Sequence, residues 1–99
     1  MTIFKYDNND YVNTVGTHLQ GYVQATYEDL CEKFGEPTYF GGDKTNAEWT
    51  LEFHIEGQDD PVIATIYDWK LGDIPKGSHA WHIGGHTNES VECVHSVMQ

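Results

Sequence analysis

The stretch Ala47–Ile55 (AEWTLEFHI) constrains the fold of this chain more than any other. Ala47, Trp49, Leu51, Phe53 and Ile55 alternate with Glu48, Thr50, Glu52 and His54. A period of two sustained over nine residues puts the apolar set on one face of an extended strand and the polar set on the other. Such a strand belongs to a sheet that is packed on one side and wet on the other. The following run, Val62–Lys70 (VIATIYDWK), is β-branched and aromatic with apolar residues on both faces, which suits a central strand, or one with a helix or a second partner over its other face. Gly57-Gln58-Asp59-Asp60-Pro61 reads as a turn between them, so the two runs are expected to pair as a hairpin.

Two helices flank these strands. Thr26 is a good N-cap with Asp29 three residues on, a variant of the capping box. Tyr27, Leu30, Cys31 and Phe34 form one apolar stripe at helical spacing. Gly35 is placed to end the helix and Pro37 follows it. A second helix starts near Thr87 or Asn88, with Val91, Val94 and Met98 as its stripe. Residues 19–25 alternate loosely and suit a short strand, as do Ala80–Ile83 before Gly84-Gly85. Ile3, Phe4 and Tyr6 suit a short edge strand or a segment lying across the core. The expected order is β-α-β-β-β-α over residues 1–99. That is a single two-layer α+β domain, with a three- or four-stranded antiparallel sheet and two helices on one face. An exposed edge strand would also allow a homodimer.

Charge narrows the function. The 99 residues carry 16 Asp plus Glu against 5 Lys plus Arg, a formal charge of −11. Nucleic acid and anionic membranes are polyanions, so direct binding to either is disfavoured, and a basic protein partner or a cation is favoured. No run of about 18 apolar residues suggests a membrane span. The N-terminus MTIFKYDNND has no charged region followed by an apolar one, so no signal peptide is expected. Cys31 and Cys93 both fall among apolar helix positions and read as buried free thiols of a cytoplasmic protein.

The acids fall in rows. Glu28, Glu32 and Glu36 recur every four residues along the first helix, roughly 6 Å apart. Glu48, Glu52 and Glu56 recur on the polar face of the alternating strand, about 13 Å apart. Duplex DNA presents one charge per about 1.7 Å of axis, so these rows together could imitate a nucleic-acid backbone. A solvated acidic surface is the plainer explanation. A second set, Tyr67, Asp68, Trp81, His82, Gly84, Gly85 and His86, could instead bind a small molecule or nucleotide, since Gly-Gly before a capped helix exposes backbone N–H groups. It lacks a dinucleotide or P-loop spacing. His79, His82 and His86 match no zinc spacing, and His54 and His95 stand apart, so no metal or other cofactor is expected. Asp68 and His82 are the only candidate acid–base pair, and no nucleophile motif accompanies them.

The segments TYEDLCEKFGEPT, AEWTLEF, VIATIYDWK and WHIGGHT, in this order and spacing over residues 17–97, resemble a family of small bacteriophage proteins without an assigned activity. The plain loop between Trp69 and Trp81 is shorter than in relatives. The resemblance implies a protein made in the host cytoplasm during infection. Small acidic proteins of that setting often bind and inhibit host enzymes or defence systems. The expected partner is then a host protein with a basic, nucleic-acid-binding site. The resemblance supplies no catalytic residue.

Overall fold

The alternating run is a strand along its whole length, and the rest of the sheet grows outward from it. In a computed structural model describing residues 1–99, the elements run β1 (Ile3–Asn8), β2 (His18–Ala25), α1 (Tyr27–Phe34), β3 (Tyr39–Phe40), β4 (Ala47–Ile55), β5 (Val62–Tyr67), β6 (His79–Gly85) and α2 (Glu89–Met98). The sheet order is β1-β4-β5-β6-β2, with β3 beside β4, and every pairing is antiparallel. β4 and β5 form the expected hairpin, with Trp49 opposite Ile66 and Phe53 opposite Val62. β5 is the central strand. No helix is long and apolar enough to cross a membrane.

The architecture is α+β with two helices, but the sheet has six strands rather than three or four. The extra strands leave little trace in the pattern of residues. β3 is two residues long, too short to show a period. β1 is an edge strand whose residues are exposed or only half-buried, so it carries no clean alternation. β1 pairs with the far half of β4, where Tyr6 faces Phe53 and Asp7 faces Glu52. β3 pairs with its near end.

Both helices lie on the apolar face. Trp49, Leu51 and Phe53 of β4, Ala64 and Ile66 of β5, and Trp81 and Ile83 of β6 meet Leu30 and Phe34 of α1 and Cys93 and Val94 of α2 in one core. The close approach of α2 to the sheet demands glycine at two places. A side chain at Gly21 would collide with Val91 of α2, and one at Gly85 with Ser90 of α2. Ser90 donates its hydroxyl to the Ile63 carbonyl at 2.6 Å, which ties α2 down onto β5.

The position of α1 is set at both ends. Thr26 and Asp29 form the capping box, with Asp29 N donating to Thr26 Oγ1 at 3.0 Å and Thr26 N to Asp29 Oδ2 at 3.1 Å. Trp81 Nε1 donates to the Ala25 carbonyl just before the helix (3.0 Å), and Trp49 Nε1 to the Gly35 carbonyl just after it (2.9 Å). The two indoles meet edge-to-face, 5.4 Å between centroids, and both are fully buried. Asn8 of β1 adds bonds to the carbonyls of Phe34 and Glu36 at 2.8 and 2.7 Å. Trp81→Phe removes one buried donor and part of a ring. It is expected to lower stability by about 2–3 kcal/mol, read as a lower urea midpoint at unchanged slope.

Candidate functional site

The polar face of the sheet has no helix over it. Alternation along each strand delivers Glu48, Thr50, Glu52 and His54 from β4, Thr65 and Tyr67 from β5, His82 and Gly84 from β6, and Tyr22 from β2 to that face. β1 and β2 are the two edges, and the segment joining them, residues 9–17, crosses this face between them. It is held where it starts by paired bonds with Thr50: Asn9 N donates to the Thr50 carbonyl at 3.3 Å, and Thr50 Oγ1 to the Asn9 carbonyl at 2.6 Å. Between this crossing and the strands lies a cleft of about 240 Å³ lined by Thr14, Thr17, Thr45, Glu48, Thr65, Tyr67, Trp69 and Gly84 among others.

Glu48 is half-buried in that cleft. Burial alone raises its carboxyl above the ordinary value, with no hydrogen bond or cation acting against it. Tyr67 lies directly opposite on β5. Burial first, and then the Glu48 charge, pushes its phenol up as well. Beside the cleft an aromatic row continues across the face. His82 stacks on Tyr67 (5.3 Å, 26°), meets Tyr22 edge-on (5.0 Å) and lies 6.4 Å from Trp69. Burial, helped by His79, lowers the His82 imidazole below its usual range, while Asp68 pulls the other way. His82 Nδ1 is buried without a partner. Trp69 is 41% exposed at the rim, with Lys44 and Lys70 each 5.7 Å from its ring.

The second sequence set is thereby divided. Tyr67, His82 and Gly84 do share the open face. Trp81 is in the core, Gly85 lies under Ser90, and Asp68 is fully buried. None of these three can line a site for a ligand, because β-strand alternation turns them the other way. Asp68 is a structural carboxylate. It accepts from Asn46 N (2.7 Å), Asn46 Nδ2 (2.8 Å) and Ala47 N (3.1 Å), closing the loop before β4 onto the end of β5. No hydrogen bond joins it to His82. His86 is exposed, beside a different, smaller recess with Gln58, Asp60 and Ser90.

The acidic rows are divided too. Glu28 and Glu32 are exposed on α1, in the helix layer, whereas Glu48 and Glu52 belong to the opposite face. Glu36 follows the end of α1, and Glu56 follows the end of β4. The helix row and the strand row therefore do not form one continuous surface.

The register of β1 assembles a cluster that the spacing of residues did not announce. Asp7, Glu52 and His54 place one donor atom each within 4.8 Å of one another. His54 Nε2 is 3.1 Å from Glu52 Oε1 and 3.5 Å from Asp7 Oδ2. Glu52 and His54 two apart on a polar strand face were legible; Asp7 needed the β1–β4 pairing. The set could offer three donors to a divalent cation, and it also closes on itself as an ion-pair cluster when His54 is protonated. The cysteines are free, and Cys31 is half-buried rather than buried. Burial pushes the Cys93 thiol up to about 11, the opposite of an activated nucleophile. The largest recess, about 450 Å³, lies where β2, β6 and the end of α2 meet. Its titratable imidazole, His95, is already bonded to the Tyr22 carbonyl at 2.8 Å.

Fold and face together define a two-layer α+β domain with an acidic helix side and a polar, aromatic open side. Comparison with family models, with curated proteins and with solved structures finds no match.

Asp68→Ala takes the acceptor from the backbone N–H groups of Asn46 and of buried Ala47 and is expected to cost about 2–4 kcal/mol by chemical denaturation. Glu48→Gln is expected to raise the melting temperature at pH 7, because the raised pKa means ionisation disfavours the folded state. That gain should vanish below the ordinary carboxyl value of 4.5, where wild-type Glu48 is protonated both folded and unfolded.

Proposed function

We propose that this chain works by binding: an acidic, phage-type protein that occupies a basic site on a nucleic-acid-handling host protein and so inhibits it. The observation that carries the reading is the placement of both helices on one face of the sheet. α1 and the residue just past it present Glu28, Asp29, Glu32 and Glu36, and α2 presents Glu89 and Glu92, against the single lysine Lys33. The overall charge of −11 adds a long-range field of the same sign. Such a field speeds encounter with a basic partner and repels polyanions. The resemblance to small bacteriophage proteins supplies the setting, the host cytoplasm during infection. The surface in question is narrower than the rows in the sequence suggested, since Glu48 and Glu52 face away from it.

The test is a tagged pull-down from bacterial lysate at low and at high salt. The expected result is a basic, nucleic-acid-handling protein retained at low salt and released at high salt. Reversal of Glu28, Glu32 and Glu36 to lysine should abolish retention, while Glu48→Gln with Glu52→Gln should preserve it. Retention that survives the helix reversal would sink the proposal.

A further inference from the structure

We propose that the cleft on the open face is a binding site for a planar group presenting two parallel N–H donors, the edge shared by amidinium, guanidinium and guanine. The site lies on the opposite side of the sheet from the acidic helix layer and does not depend on the reading given to that layer.

Glu48 is the centre of the site. It is held in a cleft by strand pairing, opposite Tyr67 and next to the buried Trp49. The ion pairs of the chain are Lys5–Asp7, His54–Asp7 and His54–Glu52, so none reaches Glu48. Lys44 and Lys70, the nearby cations, lie over Trp69 at the rim instead. A partly desolvated carboxylate without a partner carries a cost that a bound donor pair would offset. Its two oxygens lie side by side, the match for two parallel N–H groups.

The walls select what else the ligand carries. Hydroxyls of Thr14, Thr45 and Thr65 provide further polar contacts, while Thr17 Oγ1 is committed to the Thr14 carbonyl at 2.7 Å. Tyr67 and Trp69 give aromatic surface, which favours a flat body. A volume of about 240 Å³ admits one small ring system. Gly84 keeps the floor low: a Cβ there would run into Thr65 Oγ1 and sit 3.5 Å from Tyr67 Cε1. The negative field of the whole chain assists a cationic donor group and leaves a neutral base edge unaffected.

The experiment uses the full chain at pH 7, titrated separately with benzamidine, guanosine and adenosine. Heat is followed by calorimetry and backbone amide shifts by NMR. The expected result is a saturable one-to-one isotherm with benzamidine or guanosine, with shifts centred on Thr65, Tyr67 and Gly84. Adenosine, which lacks the donor pair, should give none. Binding of benzamidine alone identifies a cationic ligand, and binding of guanosine alone a nucleobase. Glu48→Gln, which keeps the side-chain shape, should weaken binding about tenfold or more. Gly84→Ala should weaken it by raising the floor. Absence of saturation with both probes, or equal binding by Glu48→Gln, would overturn the proposal. Reversal of Glu28, Glu32 and Glu36 should leave the titration with neutral guanosine unchanged, so this site and the helix surface fail or stand separately.

Discussion

Trp49 and Trp81 touch at the centre of the sheet, and their indole N–H groups reach outward to opposite ends of α1. One contact thus joins the two inner strands β4 and β6 across β5 and fixes where the helix lies. Buried indoles require partners for their N–H groups. Here the carbonyls of Ala25 and Gly35 satisfy that need, and the chain just before and just after α1 is positioned as a consequence. With α1 and α2 both committed to this face, no helix is left for the other one, which only the segment 9–17 crosses. The open face with its cleft follows from how the apolar face is closed.

The two faces then divide the chemistry. The helix layer is carboxylate-rich and exposed, suited to long-range electrostatic recognition that salt screens. On the sheet's open face, charges are held at short range. Glu52 is drawn to His54 and Asp7, and Glu48 lies in a cleft beside aromatic rings. A carboxylate whose burial is uncompensated costs stability, and such costs cluster where a protein binds something. His82 Nδ1, buried without a partner on the same face, is a second local cost of that kind. By contrast, Asp68 is completely buried and fully bonded to backbone and side-chain N–H groups, the signature of a structural carboxylate.

Much of this was readable in advance, for physical reasons tied to particular residues. The strict alternation at Ala47–Ile55 announced both a strand and which of its side chains would point away from the core, but Thr50 on the polar side is buried rather than wet. The β-branched run after it announced the central strand. Thr26, Asp29 and Gly35 announced the ends of α1, because a helix terminus must satisfy its unpaired backbone groups locally. Of the residues grouped from the sequence as a ligand set, Tyr67, His82 and Gly84 lie as neighbours on one face. Trp81, Gly85 and Asp68 were grouped with them wrongly, because adjacency in sequence within a strand means opposite faces.

What the sequence determined by itself, then, is local: periodicity, caps, turns, the overall charge and the acidic character of α1. These depend on interactions within a few residues of one another. Tertiary structure alone decided the strand order β1-β4-β5-β6-β2, the crossing of residues 9–17 over the open face, and hence the cleft. It also decided that Asp7 would stand opposite Glu52, and that the helix acids and the strand acids would face away from each other. Each of these depends on pairing between segments far apart in the chain. Register and layer are fixed there by how the whole apolar face is buried, which no local pattern encodes.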